Sequence, residues 1–215
     1  AAYVFKKNET GNWTQVQKLT ALDGSASDYF ANSVTISEST ILIGSYLNSE
    51  LISTAGAAYF FERNETGDWN QIQKFLASDA VANDQLGYSV DVDGDYAIIG
   101  AMQANSAKGA VYVLNYNESG NWTQKTKLLV DDSFAWFGYS SSISGPHILG
   151  GGENYGSARG SAYLFELTTE SVVSEADSTL PNVYLSLPVN ETNTTDTTIY
   201  FVGNASDETA LANVS

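Results

Sequence analysis

One short motif recurs three times and constrains the fold more than any other feature of the sequence. It reads NETGNW at 8–13, NETGDW at 64–69 and NESGNW at 117–122. A Tyr in a short apolar segment precedes each copy of the motif, and a fourth such Tyr follows the third copy. These tyrosines keep the same period of roughly 50 residues. The members of this series are Tyr3, Tyr59, Tyr112 and Tyr163. A period of this length indicates that each repeat is one supersecondary unit.

The period divides the chain into repeat units at 1–56, 57–109 and 110–160, with an extra strand at 161–167. Apolar and polar residues alternate with a period of two inside each unit, and the segments are rich in aromatic and β-branched residues, as is typical of β-strands. The segments of the first unit are AAYVF, WTQVQKL, NSVTIS and TILIGS. We therefore expect an all-β fold of four-stranded antiparallel blades of β-propeller type.

The recurring motif occupies the connection between the first two predicted strands. Its Gly, for example Gly11, suits a hairpin turn that needs a left-handed residue. The Trp that follows opens the return strand, and we expect it to anchor the hairpin tip to the face of the blade.

Two residue pairs recur at fixed places in the units. The first pair precedes the third strand and is Phe30-Ala31, Leu86-Gly87 or Phe137-Gly138. The second pair closes the fourth strand and is Gly44-Ser45, Gly100-Ala101 or Gly150-Gly151. Together with the spacing and the strand order, these pairs resemble the FG-GAP repeat, the blade unit of the integrin alpha-subunit propeller. The resemblance covers 1–167 and implies a propeller that serves adhesion or ligand binding.

Many FG-GAP repeats carry a calcium loop of spaced Asp residues. The nearest match here is DVDGD, with Asp91, Asp93 and Asp95, and the corresponding TISES and SISGP segments lack those carboxylates. Calcium takes about 6–8 oxygen ligands, so three carboxylates would be only part of a site. An Asp-Gly β-turn explains the same residues. We expect no cofactor, with calcium as the weaker alternative.

The pattern changes after the extra strand. Residues 168–181 are acidic, rich in Ser and Thr and end in Pro, which predicts a linker. Residues 182–215 resemble the opening of an immunoglobulin-like or cadherin-like domain, with alternating Val183, Leu185 and Leu187 as a first strand. Such a sandwich has about seven strands, so we expect only a partial β-sandwich segment.

Three blades are fewer than the 4–8 that close a propeller. Two explanations are open. The chain is part of a longer modular protein, or copies complete one another by adding strands in a head-to-tail fibre. The expected partners are therefore further copies or neighbouring domains of the same protein.

Asn-x-Ser/Thr sequons are unusually dense, and five of the nine lie on the recurring hairpin tips, where a glycan would project into water. Accidental occurrence in a chain rich in Ser, Thr and Asn is the alternative. We expect N-glycosylation, passage through a secretory pathway and an extracellular or cell-surface location. The candidate sites are Asn8, Asn12, Asn64, Asn117, Asn121, Asn190, Asn193, Asn204 and Asn213.

The formal net charge of −16 argues against nucleic-acid or anionic lipid partners, because both need clustered Lys and Arg. The chain contains no Cys, which excludes disulfides and thiolate chemistry. No apolar run approaches the roughly 18–20 residues that span a bilayer. We expect neither a nucleic-acid partner nor a membrane span.

The sequence contains little that points to catalysis. The single His, His147, stands at a strand start, and no Ser-His-Asp arrangement is evident around it. The GGGENYG run at 150–156 is not followed by Lys or a helix, so it does not indicate a phosphate loop. Asp131 and Asp132 are a carboxylate pair that could serve a glycosidase, but they stand in a variable loop typical of solvated charges. We expect no enzyme activity.

Aromatic residues cluster in the third unit at Phe134, Trp136, Phe137 and Tyr139. Packing between blades explains such a cluster, and a carbohydrate platform or a subunit interface is the alternative. The sequence therefore favours a structural extracellular glycoprotein, a subunit of a fibre, sheath or cell-surface assembly. The alternative is an adhesion module that binds a carbohydrate or a protein.

Overall fold

The structure is a computed structural model, and it describes residues 1–131, 135–153 and 160–168. The predicted linker beyond residue 168 and the predicted sandwich segment at 182–215 lie outside these residues, as do four candidate glycosylation sites, Asn190, Asn193, Asn204 and Asn213.

The described residues form thirteen β-strands, which confirms the all-β prediction. The strands are β1 (Ala2–Lys7), β2 (Trp13–Leu19), β3 (Val34–Ser37), β4 (Thr40–Ser45), β5 (Ala57–Arg63), β6 (Trp69–Phe75), β7 (Leu86–Asp93), β8 (Tyr96–Ala101), β9 (Ala110–Tyr116), β10 (Trp122–Leu128), β11 (Ser140–Ser144), β12 (His147–Glu153) and β13 (Gly160–Glu166). A short turn at Ala104–Ala107 has left-handed φ values at Asn105 and Ser106, so it is not a regular α-helix. No helix among the described residues is long and apolar enough to cross a membrane.

The strands form four antiparallel sheets. Sheet 1 is β1-β2, sheet 2 is β3-β4-β5-β6, sheet 3 is β7-β8-β9-β10 and sheet 4 is β11-β12-β13. Sheets 2 and 3 are complete four-stranded blades. Every predicted strand of the three units is present, so the alternating pattern located the strands correctly.

The expectation that the four strands of one unit share one sheet is wrong. Sheets 2 and 3 each begin with the third strand of one unit and continue into the first two strands of the next, as in sheet 2, where β4 pairs with β5 through Ile43↔Tyr59. The burial of the strands explains this grouping. The strands β4 (TILIGS) and β5 (AAYFFER) are the most buried in sheet 2, and both lie in its interior with hydrogen-bonded neighbours on each side. The more polar β6 lies at the outer edge.

Consecutive sheets pack face to face through three apolar cores. Ile41, Ile43 and Tyr59 of sheet 2 join the core toward sheet 1, whereas the alternate residues Leu42 and Phe60 join the core toward sheet 3. A third core, which includes Val111, Phe137 and Tyr163, joins sheets 3 and 4. The interior strands are therefore buried on both faces, because successive side chains point to opposite sides.

Candidate functional site

The contacts between neighbouring sheets are the most strongly repeated feature of the structure. The backbones of Gly44 and Gly87 meet so closely that a Cβ built on Gly44 would lie 1.9 Å from the carbonyl oxygen of Gly87. A Cβ on Gly100 would likewise lie 2.1 Å from the carbonyl oxygen of Gly138. Gly87 and Gly138 also have φ values near +90°, which favour Gly. These glycines belong to the two recurring pairs of the sequence, so the pairs set the approach of one sheet to the next.

A side-chain amide joins the outer strands of successive sheets. Gln17 of β2 donates to the carbonyl oxygen of Trp69 at 2.7 Å and accepts from the Trp69 N–H at 2.8 Å. Gln73 of β6 makes the same two bonds with Trp122, again at 2.7 and 2.8 Å. We call this contact the amide clamp. This contact is not predicted from the sequence, although the Gln at a fixed distance after the first two Trp residues is a visible signal.

The Trp side chains that open β6 and β10 are buried, with 6% of Trp69 and 3% of Trp122 exposed. Trp122 stacks on Phe60 of the preceding sheet, with ring centroids 4.7 Å apart and ring planes 10° apart. Trp13 has the same place in sheet 1 but is 67% exposed. The Trp therefore anchors each hairpin only where a preceding sheet covers it.

A cluster of Lys, Asp and Tyr recurs on sheets 2 and 3. Lys74 forms ion pairs with Asp23, at 2.5 Å, and with Glu50, and its ammonium lies 5.4 Å from the centre of the Tyr59 ring. Burial of the ammonium works to lower the pKa of Lys74, but the hydrogen bonds to the two carboxylates outweigh it and raise this pKa. Burial raises the pKa of the Tyr59 hydroxyl to about 12.

In sheet 3, Lys127 contacts Asp79 at 2.7 Å and lies over the Tyr112 ring at 4.9 Å, while the Tyr112 hydroxyl donates to Asp79 at 2.9 Å. Burial works to raise the pKa of Asp79, but the hydrogen bonds from Lys127 and Tyr112 outweigh it and lower this pKa. In both sheets the Asp comes from the loop before the first strand, β3 or β7. The cluster therefore fixes that loop against the last two strands of the sheet.

The carboxylates of the calcium candidate bind the neighbouring sheets. Asp91 accepts hydrogen bonds from the Thr35 hydroxyl of sheet 2 at 2.9 Å and from the Ser142 hydroxyl and Ile143 N–H of sheet 4 at 3.0 and 2.9 Å. Asp93 accepts from the Gly145 N–H at 2.7 Å. Among the described residues no group of three or more acidic, His or Cys side chains has the arrangement of a metal site. Asp91 therefore links three sheets through protein donors.

The first Asn of each hairpin tip organises the turn. The Asn8 side-chain oxygen accepts from the Thr10 N–H at 3.1 Å, the Thr10 hydroxyl at 2.8 Å and the Asn12 N–H at 2.8 Å. Asn64 and Asn117 accept the corresponding bonds from the residue four positions on, at 2.8 and 3.0 Å. The Asn-x-Thr/Ser spacing thus has a structural explanation apart from any glycan, because Asn and Ser/Thr side chains stabilise turns in this way.

The second sequons of two tips differ from the first. The Asn12 amide donates to the Thr10 hydroxyl at 3.2 Å, and the Asn121 amide donates to the Ser119 carbonyl oxygen at 3.1 Å. Asn8, Asn12, Asn64 and Asn121 are exposed, and Asn117 is half-buried. Their glycosylation stays a prediction.

Four tyrosines form a row that crosses three sheets. Ring centroids are separated by 5.3 Å from Tyr29 to Tyr46, by 5.2 Å from Tyr46 to Tyr88 and by 4.9 Å from Tyr88 to Tyr139. Tyr29 and Tyr139, at the two ends, are exposed. Burial is the main cause that raises the pKa of Tyr88 to about 12, and the hydrogen bond between Tyr88 and Tyr139 is the second cause. The Tyr88 phenol is therefore neutral at physiological pH.

The tyrosine row includes only one member of the aromatic cluster predicted from the sequence. Phe137 is buried between the sheets against Tyr163, with ring centroids 5.4 Å apart, as expected for packing between blades. Trp136 is half-buried in the loop before β11, and Phe134 lies outside the described residues.

Among the described residues, those weighed for catalysis lie in different parts of the fold. His147 is exposed at the start of β12, and Asp131 is exposed in the loop after β10. Asp132, and residues 154–156 of the Gly-rich run, lie outside the described residues.

Comparison with known proteins gives one finding. No curated protein matches the chain. The family model described as FG-GAP repeat matches residues 13–61 and 69–114. Each matched segment runs from the Trp of one outer strand into the Tyr-containing strand of the following sheet, so it spans the contacts between two sheets. The two matches support the resemblance to FG-GAP repeats at residues 13–61 and 69–114.

Proposed function

We propose that this chain is a repeat scaffold in an extracellular structural glycoprotein, with no catalytic role and no cofactor. The observation that carries the proposal is the recurring linkage of the sheets. Amide clamps join sheet 1 to sheet 2 and sheet 2 to sheet 3, close glycine contacts join sheet 2 to sheet 3 and sheet 3 to sheet 4, and Asp91 bonds sheet 3 to both of its neighbours. Such repeated contacts give a stiff stack, because each unit is fixed by its neighbours.

Assembly into a fibre, sheath or cell-surface layer is part of this proposal. Its support is the apolar face of sheet 1, where Tyr3, Phe5 and Trp13 are all more than half exposed. Head-to-tail contacts that do not close would produce filaments. Electron microscopy of the native material tests this: periodic filaments or sheets are expected, and single particles under every condition would contradict assembly.

N-glycosylation of the hairpin tips also belongs to the proposal. The tips project from the outer strands, and attachment of a glycan to the side-chain nitrogen of Asn8, Asn64 or Asn117 keeps the side-chain oxygen that accepts the turn's hydrogen bonds. Glycopeptide mass spectrometry of native material is the test. Unmodified tip peptides throughout would remove the glycoprotein part of the proposal and leave the scaffold part standing.

The tyrosine row favours a second candidate function, the binding of a neutral carbohydrate. Tyrosine rings offer apolar faces for sugar C–H groups and hydroxyls for hydrogen bonds. A glycan array is the test, with Tyr29→Ala and Tyr139→Ala as paired variants. Binding that both variants weaken would support this function, and absence of binding to the whole array would exclude it for the sugars tested.

A further inference from the structure

Tyr88 and Tyr139 form the closest contact of the tyrosine row, and they belong to different sheets. We propose that these two phenols are a site of oxidative cross-linking, at which a carbon–carbon bond between the rings (dityrosine) joins sheet 3 to sheet 4. The oxidant is hydrogen peroxide, used by a haem peroxidase. The inference rests on the proposed extracellular scaffold role, because oxidising conditions are typical of extracellular spaces.

The geometry of the row favours this pair. The Tyr88 and Tyr139 rings are tilted by 44° with centroids 4.9 Å apart, whereas Tyr46 and Tyr88 are more nearly perpendicular, at 72°. The side-chain hydrogen bond between Tyr88 and Tyr139 brings the hydroxyl ends of the two rings together. A phenoxyl radical couples at the ring carbons next to the carbon that bears the oxygen. Those carbons therefore lie where the two rings meet.

The two phenols differ in exposure, and this difference sets the order of the oxidation steps. Tyr139 is 38% exposed, whereas Tyr88 is half-buried. The oxidant therefore takes an electron from Tyr139 first, and the proton leaves to water. Tyr88 is a neutral phenol and gives a hydrogen atom to the Tyr139 radical through their hydrogen bond. A second oxidation of Tyr139 then leaves one radical on each ring.

The coupling balances without any further reagent. Each phenol has lost one electron and one proton, and the two radicals share their unpaired electrons in a bond between ring carbons. The hydrogen on each of these carbons then moves to the oxygen of the same ring, which restores both phenols. One molecule of hydrogen peroxide takes up the two electrons and two protons and becomes two molecules of water.

The cross-link would strengthen a junction that lacks one of the repeated contacts. Amide clamps join sheets 1 and 2 and sheets 2 and 3, but none joins sheets 3 and 4 among the described residues. The chain contains no Cys, so a disulfide cannot serve there. A bond between Tyr88 and Tyr139 closes a loop of about 50 residues, and such a closure stabilises a fold by restricting the unfolded chain.

Other tyrosines provide internal controls for selectivity. Tyr59 and Tyr112 are fully buried and pack against Phe30 and Phe75, which have no hydroxyl and form no phenoxyl radical. We expect neither of them to couple. Tyr3 is 51% exposed and lies outside the row, so it reports oxidation of an accessible tyrosine that has no tyrosine beside it in the described structure.

The test treats the full, folded chain at low concentration with hydrogen peroxide and a haem peroxidase, and identifies the cross-linked peptides by mass spectrometry. We expect the main product to join Tyr88 to Tyr139 within one chain and to be lighter than the untreated chain by two hydrogens. Tyr139→Phe keeps the ring but removes the hydroxyl, so it should abolish this product and lower dityrosine fluorescence severalfold. Tyr3→Phe is the matched control and should leave the product unchanged.

Two further measurements complete the test. Tyr88→Phe should have the same effect as Tyr139→Phe, and circular dichroism checks that each variant is folded. The cross-linked parent chain should unfold at a temperature roughly 5–10 °C higher than the untreated chain. Tyr139→Phe treated in the same way should show no such rise.

Three results would overturn the proposal. One is a folded chain that forms no bond between Tyr88 and Tyr139 under conditions that couple free tyrosine. Another is a product in which the two tyrosines come from different chains and whose yield rises with concentration. The third is a cross-linked chain that unfolds at the same temperature as the untreated one. None of these results depends on glycans, filaments or sugar binding, so the scaffold role is tested separately.

Discussion

The hairpins β1-β2 and β5-β6 have almost the same sequence and opposite environments. Tyr59 is fully buried and Trp69 nearly so, whereas Tyr3 and Trp13 are 51% and 67% exposed. Both hairpins carry the same tip and the same register shift in the middle of the ladder, between Val4 and Phe5 and between Phe60 and Phe61. The local structure of a hairpin is therefore set by its own sequence. Its burial depends on whether two further strands of the same sheet, such as β3 and β4, and a preceding sheet lie beside it.

The Trp residues provide the strongest test of this comparison. Trp122→Ala should lower the free energy of unfolding by about 3–5 kcal/mol, because it removes a buried ring stacked on Phe60. Trp13→Ala should change it by less than about 0.5 kcal/mol, as for other exposed positions. Chemical denaturation of both variants measures the difference. Equal losses would mean that Trp13 is buried in solution.

The amide clamp should have the next largest effect. Gln73→Ala removes two hydrogen bonds to the Trp122 backbone and should cost about 2 kcal/mol, since one such bond contributes roughly 0.5–1.5 kcal/mol. Gln15→Ala, at an exposed position two residues before the other clamp Gln, is the matched control and should cost almost nothing. Denaturant midpoints of both variants decide the matter, and equal midpoints would show that the clamp does not stabilise the stack.

The same comparison shows how far the sequence determines the fold. Alternation and turn residues were enough to locate the strands, because they are local properties. The grouping of strands into sheets is predicted wrongly, because each complete sheet combines the last two strands of one unit with the first two of the next. This grouping depends on which strands are buried on both faces, as β4 and β5 are. A sequence period alone does not reveal where one sheet ends and the next begins.

The contacts between sheets were only partly predictable. The recurring glycine pairs were visible as motifs, but their role in bringing Gly44 against Gly87 requires two units that are far apart in sequence. The side-chain partners of Asp91 also come from two other sheets, and the sequence placed this residue only in a turn or a calcium loop. The sequence identifies the first Asn of each tip as part of a sequon. Its role as a hydrogen-bond acceptor in the turn is seen only in the structure.

Substitution of a Lys should change the free energy of unfolding less than substitution of a buried Trp, in a hairpin covered by a preceding sheet as well as in the uncovered hairpin β1-β2. Lys127 pairs with Asp79 beside Tyr112, whereas Lys18 lies only over Tyr3. Lys127→Met should cost less than about 1 kcal/mol at pH 7, because solvent screens a pair in which about half of the Asp79 side chain is exposed. Lys18→Met should be close to neutral, and thermal unfolding of the two variants compares them.

The Lys127 effect should also depend on pH. Because the pKa of Asp79 is lower in the folded chain than in the unfolded one, the pair stabilises the fold above the unfolded value near 3.9 and loses its effect as the pH falls through the folded value. The difference between Lys127→Met and the parent chain should therefore shrink below about pH 4. A difference that stays constant down to pH 2 would mean that packing of the Lys stem, not the ion pair, is responsible.

The hairpin tips should behave alike in both environments, and here we expect the smallest effect. Asn64→Ala removes an acceptor from an exposed turn and should cost about 0.5 kcal/mol, whereas Asn64→Asp keeps a side-chain oxygen and should cost less. Asn8→Ala and Asn8→Asp should show the same order at the exposed hairpin, measured by hydrogen exchange of the Asn12 amide. Because the tip bonds are local, burial of the neighbouring Trp should not alter them. A tip that depends on its Asn only in the buried hairpin would show that the turn, too, is set by the neighbouring sheet.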